Sequence, residues 1–361
     1  MYSPKFSITN KILSDIGKIE ASREVIENAP LVPAYEAKFR QEAIIRTVHH
    51  GTHIEGNQLD TGEVAAVLEG EQVVGRDRDI QEVLNYRNVL KYIDRKKGIS
   101  SQRPGTRNKS ELAEKDLLTI HKLTVEKVLP GDRAGKYRIT QVVVKNSKTG
   151  EVSFTPPRSY EVKELVNDFL KWLNSDDSAV IHPVLAAGIV HYVLAFIHPF
   201  VDGNGRTARA FATMVLFANG YDIKKFFSLE EYFDRDAKRY YQTLQEVSNQ
   251  KVRSLSERDL TVWLEYFCEG LAEELARVKE RVQKLSLDSK LKGRTGQIAL
   301  SERQMKLVEY IEANGSVSNK QWRSILRNFS DDTILRDLKD LKKKGLVKKK
   351  GSTKGAVYML K

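Results

Sequence analysis

At 361 residues the chain exceeds one typical domain, so two or three domains with real cores are expected and a single small scaffold is excluded. Its 40% hydrophobic and 30% charged residues are the composition of a soluble globular protein, against a disordered or membrane-embedded one. The net charge of +12 admits nucleic acid as a partner, but the excess is uneven: Ser301 to Lys361 carries fifteen Lys/Arg against seven Asp/Glu, a net +8 in the last sixth of the chain.

The N-terminal stretch MYSPKFSITNKIL lacks the charged start, apolar middle and cleavage site of a secretory signal, so cytoplasmic residence is the default expectation. Apolar residues at helical spacing predict helices over Glu36 to Ile54, Glu63 to Leu68 and Asp79 to Ile93. The close-set histidines of HHGTH (His49 to His53) lack the HExxH arrangement or a cysteine set, and a zinc site is rejected. Gly98 to Asn108, rich in Ser, Arg, Gly and Pro, reads as a loop, with Ser110 as the N-cap of the next helix. The segment YRITQVVVKNSKTGEVSF has two β-like runs about a turn-rich NSKTG, which predicts a hairpin. Helical spacing returns over Glu161 to Leu173 and Val184 to Ile197, the latter a core helix too short to cross a bilayer. The single cysteine, Cys268, lies in the apolar run VWLEYFCEGL and reads as a packed thiol. SLDSKLKGRTGQ, Ser286 to Gln297, has no apolar period and is taken as a linker. Beyond it Ser301 to Lys361 reads as three helices and a hairpin, with a turn at Gly351 to Gly355.

The segment from Ile197 to Gly220 gathers a base, a carboxylate, two glycines, an amide and two arginines between apolar helices. Pro199 and the glycines end one helix, and GNGR opens the next, running from Thr207 to Gly220 as its C′ residue. The unpaired N–H groups of a helix start, with Gly203 and Gly205 permitting close approach, make a phosphate cradle. Arg206 and Arg209, three apart, share a helix face and can both reach a polyphosphate. Asp202 stands where an oxygen ligand for Mg²⁺ is wanted, and His198 can accept a proton from an incoming hydroxyl. Each residue alone has an ordinary structural explanation, but twelve contiguous residues in one pattern favour function.

HPFVDGNGRTAR, His198 to Arg209, resembles the signature of the Fic family, HPFx[DE]GNGRxxR, at every specified position. The resemblance implies a mainly α fold, an all-helical Fic core with a small β-hairpin flap, and transfer of AMP from Mg·ATP to a Ser, Thr or Tyr hydroxyl of a protein. It casts His198 as the base, Asp202 as the Mg²⁺ ligand, Gly203, Asn204 and Gly205 as the anion hole, and Arg206 and Arg209 as the holders of the β- and γ-phosphates. Glycine at 205 fits the nucleotidyl-transferring branch better than the kinase-like branch, which has lysine there. GKYRITQVVV, Gly135 to Val144, resembles the flap that pairs with the target's extended segment. FFSLEEYFDRDAKRYYQTLQEV, Phe226 to Val247, resembles the region closing over adenine, with Tyr240 and Tyr241 in the paired aromatic position and one of the two expected to be core. HHGTHIEGNQL, His49 to Leu59, resembles the family's inhibitory helix, pattern [ST]xxxE[GN]. Glu55 and Gly56 match, and Gly51 departs from the expected Ser/Thr, the nearest hydroxyl being Thr52. Glu55 is thereby expected to pair with Arg209 and hold ATP unproductive.

The tail resembles a winged helix-turn-helix, with Ser330 to Lys344 as recognition helix and Lys348 to Lys350 with Lys354 as basic wing. Such a wing suits sequence-independent phosphate contacts, whereas Asp331 and Asp332 argue against base reading. DNA is favoured as its partner over a docked protein. The expected organisation is an N-terminal helical region with the inhibitory helix (1–110), a Fic core (111–285), a linker (286–300) and the winged unit (301–361). Three functions remain: an autoinhibited protein adenylyltransferase, the first choice; an AMP-removing enzyme using the same cradle with Glu55 orienting water; and a DNA-binding regulator that senses nucleotide. An intact His198 favours an enzyme. The protein substrate extends to the chain itself, no membrane partner is expected, and a homodimer is left open.

Overall fold

A computed structural model describes residues 2–31, 33–96, 112–145, 150–292, 300–326, 329–351 and 356–361. The expected loop Gly98 to Asn108 and cap Ser110 lie outside these, as do Asn146 to Thr149 of the hairpin turn, Lys354 and part of the tail's turn.

The N-terminal helices are α1 (Asn10–Glu27), α2 (Pro33–His53), α3 (Thr61–Leu68) and α4 (Asp77–Lys96). α1 opens on Thr9, whose hydroxyl accepts from the Ile12 N–H at 3.2 Å. Ile12, Ile19 and Ile26, seven apart and fully buried, line its contact with a later helix. α3 opens on a capping box in which Asp60 accepts from Glu63 N–H at 2.8 Å and Glu63 answers the Asp60 N–H at 2.9 Å.

The middle of the chain supplies α5 (Glu114–Thr124), the strands β1 (Val144–Lys145) and β2 (Val152–Phe154), α6 (Val162–Leu173), the one-turn α7 (Asp176–Ala179), α8 (Pro183–Ile197) and α9 (Asn204–Ala218). α8 is buried on nearly every side from Val184 to Ile197, with His191 among its apolar residues, and therefore runs through the core, packed on α9. β1 and β2 pair antiparallel with Val144 opposite Phe154. Of the hairpin expected over Tyr137 to Phe154, the first β-like run forms a strand only at Val144–Lys145. Arg138 in that run is buried and spends its side chain on loop carbonyls, which draws the backbone off the extended path.

α10 (Leu229–Arg235), α11 (Ala237–Ser248) and the long α12 (Thr261–Lys292) complete the body. Trp263, Leu264, Phe267, Leu271, Leu275, Val278 and Val282 bury one stripe of α12, and Trp263 Nε1 donates to Gly188 O of α8 at 2.7 Å. Cys268 is buried on this helix and burial pushes its thiol up to about 12, in keeping with a packed thiol. The helix continues to Lys292, through residues taken as linker. Those positions lack an apolar period, but Leu, Ser, Asp and Lys do not break a helix, and the first glycine after them is Gly293.

The last residues form α13 (Glu302–Asn314), β3 (Val317–Ser318), α14 (Asn319–Ile325), α15 (Asp331–Lys343), β4 (Val347–Lys350) and β5 (Val357–Leu360), the strands in the order β3-β5-β4. Three helices and a hairpin were expected, and the two-residue β3 adds an edge. Leu307, Ile311, Trp322, Leu338, Leu341 and Tyr358 form a separate core, which Ala34 and Ala37 of α2 join. No helix of the described residues is long and apolar enough to cross a membrane.

Candidate active site

α8 ends at His198, whose φ of 51° and ψ of 57° are left-handed, a strained setting for a residue with a Cβ. Three contacts fix the loop that follows. The buried Arg138 donates through Nε to His198 O at 2.8 Å and through Nη2 to Pro157 O at 2.6 Å. Asn204 Oδ1 accepts from Phe200 N–H at 2.8 Å while its Nδ2 donates to Phe200 O at 2.9 Å. His121 of α5, fully buried, stacks on Phe200 with ring centroids 3.7 Å apart. Its Nδ1 accepts from Gly135 N–H at 2.9 Å, so the proton is on Nε2, which donates to Asp202 O at 3.1 Å. Burial holds His121 neutral, with a pKa lowered to about 4.

The same logic sets His198. Its Nδ1 lies 3.2 Å from Ala195 O, an acceptor, so Nδ1 carries the proton and Nε2 is left as a lone pair. Burial pushes its pKa below the ordinary value of 6.5. The imidazole is therefore neutral and basic at physiological pH.

Gly203 caps α9 with φ of 75°, and the first intrahelical bond runs from Thr207 N–H to Gly203 O at 3.0 Å. The N–H groups ahead of it face out of the helix start, as an anion site requires. The side chain of Asn204 is turned back on Phe200, so it can serve a cradle only through its backbone N–H. Arg206 and Arg209 are 3% and 2% exposed. Arg206 Nη1 lies 3.0 Å from Glu82 Oε1, yet neither its Nε nor its Nη1 aims an N–H at an acceptor. Arg209 Nη2 donates to Glu55 Oε1 at 2.8 Å and to Gly51 O at 2.9 Å, while its Nε and Nη1 have no hydrogen-bond partner among the described residues. Two buried guanidiniums with unspent donors beside a helix start are the chemistry of an anion site.

Glu55 sits in the turn that closes α2, with Gly56 at φ of 96° behind it. The carboxylate enters because residue 205 has no side chain: a Cβ there would run into Glu55 Oε1 and stand 3.2 Å from Arg209 Nη1. Gly51 is equally confined, since a Cβ would lie 2.6 Å from Tyr86 Cε1. Glycine in place of Ser/Thr is thus the residue that Tyr86 permits. The Thr52 hydroxyl turns back onto α2, donating to Val48 O at 2.9 Å. Tyr240 is core, its hydroxyl 3.0 Å from His191 Nε2, whereas Tyr241 is 40% exposed and donates to Ile54 O at 3.3 Å. His50 and His53 place Nδ1 at 2.7 Å and 2.9 Å from Asp234 of α10, bracing the same end of α2.

Asp202 is held by its neighbours. Its Oδ1 accepts from Gly203 N–H at 2.6 Å, and its Oδ2 from Arg78 Nη2 at 3.1 Å. Neither Arg138, His121, Arg78 nor Glu82 stood out in the sequence. Arg138 lies within the β-branched run YRITQVVV, and His121 had one faint signal, a lone histidine among the apolar residues of DLLTIHKLTV.

Residues 111–216 match the protein-family model of the Fic/DOC family. This segment is a Fic domain. Curated relatives named "Protein adenylyltransferase Fic" include that of Culex quinquefasciatus, 32% identical over 207 residues that cover 56% of this chain and 38% of that protein. The one of Nematostella vectensis is 30% identical over 224 residues, covering 61% and 48% respectively. The chain thus spans less than half the length of these relatives. Among solved structures, a Fic family protein from Desulfovibrio desulfuricans G20 shares the fold over 100% of this chain and 98% of its own, at TM-score 0.63 and 24% identity. Fic-1 from C. elegans shares it over 77% of this chain and 74% of its own, at TM-score 0.56 and 24% identity.

The confined glycine gives a test of the packing beside Arg209. Gly51→Ser should destabilise the chain by about 1–3 kcal/mol, because overpacking against Tyr86 outweighs the gain in helix propensity. Denaturant unfolding measures it, and a midpoint unchanged from wild type would contradict the packing account.

Proposed function

We propose that the chain is a protein adenylyltransferase that transfers AMP from Mg·ATP to a protein hydroxyl and is held back by Glu55. One observation carries the reading: His198, whose Nδ1 proton is committed to Ala195 O so that Nε2 is the lone-pair nitrogen, precedes a helix start whose two buried arginines keep donors without partners among the described residues. In this reading His198 Nε2 takes the proton of a Ser, Thr or Tyr hydroxyl as its oxygen attacks the α-phosphorus. The bond from that phosphorus to the bridging oxygen breaks, and pyrophosphate leaves. The N–H groups of α9 and the guanidiniums of Arg206 and Arg209 hold the phosphate charge. Mg²⁺ suits Asp202, the partly exposed carboxylate at the rim of the cradle, since that ion takes one or two carboxylates and shares phosphate oxygens. When bound, it neutralises charge on the phosphates. Tyr241, the open ring of the pair, is the one placed to meet adenine. The exposed apolar residues Ile139, Val143 and Val152 support the hairpin as the face for the target's extended segment.

Glu55 acts by occupying Arg209. Removing it leaves a buried cation short of its counter-ion, which the γ-phosphate then supplies. Glu55→Gly should therefore raise labelling with radioactive ATP, of the chain itself or of a target, at least tenfold, a change that needs about 1.4 kcal/mol of barrier lowering. Arg209→Ala should cancel the gain. Equal labelling by wild type and Glu55→Gly would remove the inhibitory role. Loss of labelling in Glu55→Gly, with AMP-modified protein accumulating in cells, would favour AMP removal instead.

His198→Ala should abolish transfer while calorimetric ATP binding persists, because the base acts in the chemical step. The lowered pKa has a sign that can be checked: the neutral form persists below pH 6.5, so the acid limb of the transfer rate should lie below that value. A limb at or above pH 6.5, or turnover by His198→Ala, would unseat the assignment.

For the C-terminal unit we infer duplex DNA as partner, from the basic excess and the wing. Lys348 and Lys350 pair with Glu69 and Glu71 of the body, and Asp331 is tied to Arg323, so phosphates would have to replace the first two carboxylates. The full chain should be retained on DNA at low salt and released as salt rises. No retention would make the unit a protein-docking module.

A further inference from the structure

We propose that Arg78 and Glu82, one turn apart on α4, set how readily Asp202 is yielded to a divalent cation: Arg78 holds the carboxylate in the resting chain, and Glu82 draws the guanidiniums away from it. The inference rests on the nucleotide-site reading above. Both residues lie outside the matched segment 111–216.

Four charges alternate in a ring. Arg78 Nε donates to Glu82 Oε1 at 3.0 Å and Arg78 Nη2 to Asp202 Oδ2 at 3.1 Å. Arg206 Nη1 lies 3.0 Å from the same Glu82 oxygen, and Arg206 Nη2 lies 3.6 Å from Asp202 Oδ1. The second oxygen of Glu82 accepts from Asn57 Nδ2 at 3.3 Å, which anchors the buried carboxylate to the segment following Glu55. Both oxygens of Asp202 are consequently in use, Oδ1 by the Gly203 N–H and Oδ2 by Arg78.

A cation that takes Oδ2 must displace Arg78. The exchange is easy at the Arg78 end: its side chain is 58% exposed and keeps Glu82 through Nε while Nη2 leaves. Arg206 cannot move so freely, being 3% exposed and bound to a helix start. Neutralising Glu82 leaves both guanidiniums with Asp202 as the carboxylate of the ring, so Asp202 is gripped harder. The two neighbours therefore affect cation binding with opposite signs, and neither acts through Arg209, the group Glu55 occupies.

The test uses the full chain with a β,γ-imido analogue of ATP, and reads bound Mn²⁺ by paramagnetic resonance, with folding checked by circular dichroism. Arg78→Gln should tighten Mn²⁺ by roughly two- to fivefold, the scale of one solvent-exposed ion pair. Glu82→Gln should weaken it by a similar factor, and Arg78→Lys should restore affinity toward wild type. A general loosening of the site would weaken binding in every variant. Unchanged or weaker Mn²⁺ binding in Arg78→Gln overturns the proposal, as does tighter binding in a folded Glu82→Gln chain. If Glu82→Gln does not fold, Arg78→Gln and Arg78→Lys decide. If neither wild type nor Glu55→Gly retains the nucleotide, the nucleotide-site reading falls and this inference with it. Retained nucleotide with unshifted Mn²⁺ removes the inference alone.

Discussion

Arg209 is a guanidinium with 2% of its surface exposed, and an arginine cannot shed its charge to escape the cost of burial. Its counter-charges must therefore come from the protein or from a ligand. In this chain they come from the end of α2, as the Glu55 carboxylate and the Gly51 carbonyl. That requirement brings an N-terminal helix into the electrostatics of a loop about 150 residues further on, and it explains two glycines by steric room: Gly205 admits the carboxylate, and Gly51 lets α2 lie on Tyr86. The arrangement is half-satisfied by construction, since Nε and Nη1 of Arg209 remain without acceptors among the described residues. An anion entering the cradle would meet donors already in place.

The loop between α8 and α9 holds these groups in place through side chains that are turned into the protein. Arg138 ties down the carbonyls of His198 and Pro157, Asn204 closes the turn on Phe200, and His121 fastens Asp202 from beneath. They support a left-handed His198 that would otherwise relax. Preorganisation of this sort spares the site the reorganisation that a flexible loop would need whenever an anion bound there.

α2 also links the two cores. Its first turns place Ala34 and Ala37 in the C-terminal core, and Arg40 pairs with Glu312 of α13, while its last turn carries the Glu55 contact. The lysines of β4 meet Glu69 and Glu71, so part of the basic excess concentrated in the tail is neutralised within the chain. Net charge counted along the sequence overstates what that surface offers to an anion.

The helices over Glu36 to Ile54, Glu63 to Leu68, Asp79 to Ile93, Glu161 to Leu173 and Val184 to Ile197, the Gly-rich turn that follows and the three helices and hairpin of the tail were legible in the sequence, because helical periodicity, caps and turn residues are local. The cluster from His198 to Arg209 was legible for the same reason: a helix start displays its chemistry within a dozen consecutive residues. The Glu55–Arg209 pair was reachable only through the resemblance of two separated segments, since nothing local to either specifies the other. Tertiary structure alone decided the rest. It made Arg138 a loop anchor where a strand had been expected, chose Tyr240 as core and Tyr241 as the exposed ring, and brought Arg78 and Glu82 to Asp202 and Arg206. In each case a buried polar or charged group found its partner far along the chain, and the strength of such a contact depends on position and exclusion of water, which periodicity does not encode.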